Sequence, residues 1–229
     1  MKPIIEKYSW RGVNFFEGAS SEEHYKQKSV CFGSKIKNLE RFGFYDFFLP
    51  LDCDEFIALR HDKTGVIDTR KESIHEAFEN LDKENGLFSV NFNYPNSLAA
   101  PREFFGWEFR KQFVRKDVFQ RMDHGGHSIT PRNSEPAVDT RFAYIHFCYR
   151  PFRSMVQSAR EKVKIEPNIM TLPDSELRKH RLAKYFFMSE DEYYSSFSEL
   201  EGLPRFSAPH LVEFFRQYVR RLPFENEVQ

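Results

Sequence analysis

Glycine, cysteine and any surplus of charge are all scarce in this chain. Of its 229 residues only 10 are glycine and three are cysteine. Cys31, Cys53 and Cys148 are odd in number, and no two of them have metal-ligand spacing. That argues against a disulfide framework and fits a reduced, cytosolic compartment. The 34 basic and 34 acidic side chains cancel. With no field of either sign, charge gives no reason to expect nucleic acid. No segment approaches the roughly 20 apolar residues of a membrane span. The start, Met1 to Lys7, breaks its apolar run with charge too early for a signal peptide. A soluble protein is expected. Internal repeats and low-complexity tracts are also missing. Aromatic residues are plentiful, with 26 Phe and 10 Tyr. A single core rarely needs so many, so some should line a pocket or a partner interface.

Periodicity divides the chain in two. Ser20-Ser21-Glu22-Glu23 has the form of a helix start, and Tyr25, Phe32, Ile36 and Leu39 continue at helical spacing toward Gly43. Tyr45 to Leu51 reads as a buried strand, and Arg60 to Thr69 as a polar connection. Ile74, Ala77, Phe78 and Leu81 predict a second amphipathic helix closed by Gly86. Leu87 to Tyr94 alternates as a half-buried strand does. Further strands are expected around Phe113 and Val114 and over Arg141 to Tyr149, separated by a long loop from Arg121 to Thr140. Pro151 suits the first turn of a helix running to about Lys164. From Asp174 onward the pattern is helical, with Asp174, Ser189 and Ser207 as N-cap candidates. The expected organisation is an α/β domain over residues 1–165 and a C-terminal helical extension over 166–229.

Chemistry concentrates where Phe47-Phe48-Leu49-Pro50-Leu51 runs into Asp52-Cys53-Asp54-Glu55. Ligand sites of open α/β sheets lie at the carboxyl ends of strands. Three carboxylates crowded there repel one another unless a cation neutralises them. Hard oxygen ligands favour Mg²⁺ or Mn²⁺, and such an ion clamps a diphosphate. Asp52 and Asp54 are the first metal candidates. The plain alternative is a solvated acidic turn. An Asp-x-Asp strand end serves two chemistries: phosphoryl transfer through an aspartyl nucleophile, which would be Asp52, and glycosyl transfer from a nucleotide-sugar. Haloacid-dehalogenase-like phosphatases want a small or hydroxylated residue where Phe56 stands.

The motifs resemble a known family. Asp52-Cys53-Asp54-Glu55-Phe56 is similar to the Asp-x-Asp-Glu-Phe signature of bacterial family-2-like glycosyltransferases, a group close to family 92. Lys111 to Arg115 followed by Gly126-His127-Ser128 matches a basic strand and a His element. Ile145-His146-Phe147-Cys148-Tyr149-Arg150 matches a His-aromatic-x-Tyr-Arg element, and Gln27 falls where a Gln is often kept. The match covers about residues 20–165. It implies a nucleotide-diphospho-sugar transferase (GT-A-like) mixed sheet, Mn²⁺ or Mg²⁺ as cofactor, a nucleotide-sugar donor, and a glycan or lipid-linked acceptor in bacterial surface polysaccharide synthesis. It also implies one more upstream βαβ unit for the nucleoside, most of which is expected to be missing ahead of Asp52. A non-catalytic remnant acting as a binding module is therefore a second reading. The family's Lys on the next helix would fall at Ser158, with Lys162 one turn further along.

His146 is a candidate third metal ligand. Glu55, His127, Arg150 and Lys162 are candidate substrate contacts, since guanidinium forks suit diphosphate. The loop His124-Gly125-Gly126-His127 lacks zinc spacing and reads as a lid or substrate contact. If the sugar is inverted, a carboxylate must deprotonate the acceptor; Glu103, Glu108 and Asp123 are candidates. Trp107 or Tyr94 could stack on a sugar, with core packing as the alternative. Arg216, Arg220 and Arg221 beside Phe214 and Phe215 would suit a peripheral contact at the inner face of the membrane.

Overall fold

The computed structural model describes residues 21–60, 63–123, 125–165, 167–180 and 182–218. It is a mixed α/β structure. The first expected helix forms α1 (Ser21–Glu40), and Gly43 follows with φ of +71°, a left-handed backbone that a side chain would strain. The second, α2 (Lys71–Glu79), buries Ile74 and Ala77 and stops at Asn80, short of Gly86.

The strands are β1 (Phe47–Phe48), β2 (Glu55–Leu59), β3 (Leu87–Pro95), β4 (Glu103–Phe105), β5 (Trp107–Arg115), β6 (Phe119–Met122), β7 (Ile129–Pro131), β8 (Val138–Asp139), β9 (Phe142–His146) and β10 (Arg205–Ser207). The main sheet has the order β1-β5-β3-β9-β2, and β8 pairs with β3. β3 and β9 run parallel, whereas β1 and β2 are antiparallel to their neighbours β5 and β9. The chain therefore crosses from one sheet edge to the other between Phe48 and Glu55, and the acidic segment lies in that crossing.

Three expectations change. The strand ahead of the acids is only β1, and the acids form the turn that opens β2. β3 is largely covered on both faces: of Ser89, Asn91 and Asn93, on the expected solvent side, Ser89 and Asn93 are 0% and 4% exposed, and only Asn91, at the bulge between Val90 and Phe92, is half-buried. Ile74 and Ala77 of α2 pack with Phe88, Phe113 and Tyr144, while Tyr94, Ile145 and Phe147 pack in a separate cluster. The expected loop from Arg121 to Thr140 contains the hairpin β6–β7 and strand β8. Its turn closes because the Asp123 carboxylate accepts the His127 and Ser128 N–H groups at 2.7 and 3.0 Å.

Beyond α3 (Phe152–Ile165), the tail holds the short helices α4 (Asp174–Leu177) and α5 (Glu190–Ser195), several 3-10 turns, and α6 (Pro209–Tyr218). Ser189 caps α5 in a reciprocal box with Glu192. The tail also carries a strand: β10 pairs with β4, and Ser207 accepts the Ile67 N–H at 2.7 Å. Leu211, Val212 and Phe215 of α6 pack with Tyr94, Ile145 and Phe147. The residues after 165 thus share a core with the sheet. Among the described residues no helix is long and apolar enough to cross a membrane.

Candidate functional site

Asp52 to Glu55 form a tight turn closed twice. The Glu55 N–H donates to the Asp52 carbonyl at 3.0 Å, and the Asp52 N–H donates to the Glu55 carboxylate at 2.7 Å. Register then fixes what the turn faces. Glu55 pairs with His146 across β2 and β9, and the Phe147 N–H donates to the Asp54 carbonyl at 2.8 Å. The acidic turn and the His-aromatic-x-Tyr-Arg element, far apart in sequence, are thereby joined backbone to backbone at the carboxyl end of β9.

The repulsion expected among three carboxylates is relieved by the protein's own cations. Lys28 of α1 pairs with Asp52. Lys111 of β5 pairs with Glu55, and both side chains are almost fully buried. Arg150 donates to Asp54 at 3.3 Å and to the Ser158 hydroxyl at 3.4 Å. The acids share one turn; the neutralising groups come from α1, from β5 and from the segment that follows β9. Ser158, where the resemblance would put a Lys, instead receives Arg150.

Asp54 also lies 3.7 Å from His146 Nε2. Burial pushes the His146 imidazole down, against the pull of the Asp54 and Glu55 carboxylates. The ring is therefore neutral at neutral pH and holds a lone pair for a proton or a metal. Burial pushes Asp52 up, but the Lys28 hydrogen bond and charge, with Lys111 and His146, outweigh it and hold the carboxyl below its ordinary value. Cys148, next to the same turn, has its thiol pushed up to about 12 by burial and then by the Asp54 and Glu55 charges.

The remaining candidates divide. Glu55 is 6% exposed and engaged by Lys111 and the turn, which makes it an anchor of the turn. His127 packs edge-on against Phe109 with ring centroids 5.2 Å apart, and its Nδ1 is buried without a hydrogen-bond partner. Burial and the nearby Lys111 charge push its imidazole down. Asp123 organises the β6–β7 turn. Glu108 pairs in register with Phe92, which packs on the core cluster of Tyr94 and Ile145 across the sheet from the acidic turn; Glu108 is exposed there. Glu103 pairs with Arg205 at 3.0 Å. Lys162 sits half-buried on α3, one turn beyond Ser158. Trp107 packs against Tyr149, and Tyr94 is fully buried. His124, Arg220, Arg221 and the side chain of Gln27 lie outside the described residues. Lys28 is not among the residues the sequence singles out, and Lys111 stands out only as the start of a basic strand. Their pairing with the acids has no local signal, because only the fold brings Lys28 to Asp52 and Lys111 to Glu55.

Among the described residues no group of three or more His, Cys, Asp and Glu side chains is placed to hold a metal ion. Asp54 and His146 do offer a carboxylate and an imidazole side by side, each about a quarter exposed. That set fits a Mg²⁺ or Mn²⁺ ion completed by phosphate and water oxygens, which seldom needs an all-protein cage. No protein-family model matches the chain, and neither a curated protein nor a solved structure matches it.

Proposed function

We propose that this chain is a glycosyltransferase domain of the nucleotide-diphospho-sugar (GT-A-like) type, moving a sugar to an acceptor hydroxyl. The observation that carries the reading is the meeting of Asp54, His146 and Arg150 at one strand end, with Asp54 3.7 Å from His146 and 3.3 Å from Arg150. A carboxylate, a neutral imidazole and a guanidinium together suit a metal-bound diphosphate better than a phosphate ester alone. Asp54 and His146 would hold the divalent ion, whose charge would stabilise the departing diphosphate. Arg150 would bind phosphate oxygens through its planar fork. Lys28 keeps Asp52 ionised and oriented. The Lys111–Glu55 pair holds the turn rigid, so that Asp54 is presented without reorganisation. The half-buried His127 ring would exclude water beside the site.

Calorimetric titration with nucleoside diphosphates, with and without Mn²⁺, tests this. Metal-dependent binding is expected, weakened at least about tenfold in Asp54→Ala, the cost of one lost charged contact of about 1.4 kcal/mol or more. No binding by the intact chain in the presence of Mn²⁺ would refute the proposal. Equal binding by Asp54→Ala would remove the metal role. Metal-dependent binding without sugar transfer would favour the binding-module reading.

A further inference from the structure

A second surface carries aromatic and basic side chains that the proposed reaction does not use. The loop between α1 and β1 holds Phe42, Phe44 and Tyr45, which are 64%, 83% and 41% exposed. The loop is held in shape. The Arg41 and Phe42 N–H groups donate back to Asn38 and Leu39, and Gly43 takes the left-handed turn. The Lys116 N–H donates to the Asp46 carbonyl at 2.8 Å and ties the far end to the sheet. Ordered aromatic rings standing in water cost free energy unless something covers them.

Cations surround this tip. Lys37 and Arg41 are exposed at the end of α1, and the Lys116 ammonium lies 3.7 Å from where a Cβ on Gly43 would be. Alongside runs a groove of about 480 Å³ between α1 and β6, lined in part by Lys37, Asn38, Arg41 and Arg121. Asp46 and Asp117 are the exposed acids nearest in the chain, and exposed Glu79 lines a cleft together with Asp46, Lys83 and Arg115. Glu40 is buried and occupied by Arg132 and the Asp117 N–H.

We infer that this face docks on an anionic lipid bilayer. The aromatic tip enters the interface, and Lys37, Arg41 and Arg121 meet lipid phosphates. The mixture of groups favours a bilayer over a protein partner. Three exposed aromatic side chains of one short loop stand beside Lys37, Arg41 and Lys116, the pairing of apolar anchor and cation that an anionic interface takes. A bilayer needs only insertion depth plus charge. The inference does not depend on the glycosyltransferase reading.

The test is co-sedimentation of the full chain with vesicles of phosphatidylcholine alone or mixed with phosphatidylglycerol. Binding is expected only to the anionic vesicles and should weaken in high salt. The double variant Phe42→Ser, Phe44→Ser should bind at least about tenfold more weakly, as loss of two buried rings requires. Lys37→Glu with Arg41→Glu should abolish the preference for phosphatidylglycerol. Both sets change exposed side chains, and circular dichroism checks that they fold. Phe44→Trp supplies a second readout: its fluorescence should shift to the blue on anionic vesicles. Failure of the wild type to sediment, equal binding by the serine variant, or no shift of the Trp would overturn the inference. A mass that doubles with concentration and reverts in the serine variant would assign the face to a second copy of the chain instead.

Discussion

The Lys111–Glu55 pair gives the sharpest test of how the acidic turn is held. Lys111→Met keeps most of the side-chain volume and the apolar stem over the Tyr144 ring, so it opens little cavity. What it removes is the ammonium, which sits 5.2 Å from that ring and pairs with Glu55. Glu55 is 6% exposed and cannot turn to water. Breaking a buried pair costs roughly 3–5 kcal/mol. A loss of that size is expected at neutral pH.

Adding Glu55→Gln removes the stranded charge, while the amide oxygen can still accept the Asp52 N–H. The double variant should return to within about 1 kcal/mol of wild type. Urea denaturation reads all three proteins. A single-variant loss below about 1 kcal/mol, or a double variant no more stable than the single, would refute the account of a buried, mutually dependent pair.

Two further outcomes follow from local geometry. Gly106→Ala would place a Cβ 2.4 Å from the Phe206 ring and 2.9 Å from Phe92. It should cost about 1–3 kcal/mol in thermal or urea unfolding; an unchanged midpoint would mean the β4–β10 contact is looser than described. The Cys148 thiol, pushed up to about 12, should alkylate with iodoacetamide in the native protein on the order of a thousandfold slower at pH 8 than an ordinary exposed thiol. Its rate should climb about tenfold per pH unit, because only the thiolate reacts. Mass spectrometry separates it from the exposed Cys31 and Cys53, and equal rates at all three would refute the burial argument.

Much of the secondary structure was legible because it depends on short-range pattern. Helical spacing of Phe32, Ile36 and Leu39 marked α1, and alternation from Leu87 marked β3. Of the three N-cap candidates Ser189 is a cap, whereas Asp174 falls inside α4 behind Pro173 and Ser207 belongs to β10. Misses arose where distant contacts overrode local composition. Polar residues from Arg121 onward look like a loop, yet the Asp123 carboxylate folds them into a hairpin. Arg205 to Ser207 sit in a helical tail and become a strand because β4 offers an edge. Ser89 and Asn93 look solvent-facing and are buried because both faces of β3 are covered.

The functional surface divides along the same line. Crowded acids after an apolar run, and the His146 and Arg150 element downstream, are properties of residue order and could be read directly. Their meeting could not. It depends on antiparallel pairing of β2 with β9, which sets Glu55 opposite His146. Residue order alone points to an outside cation to hold the acids together. The fold supplies Lys28, Lys111 and Arg150 from three separate segments. Electrostatic neutrality inside a site is a three-dimensional condition, and no window of sequence around Asp52 contains the charges that meet it.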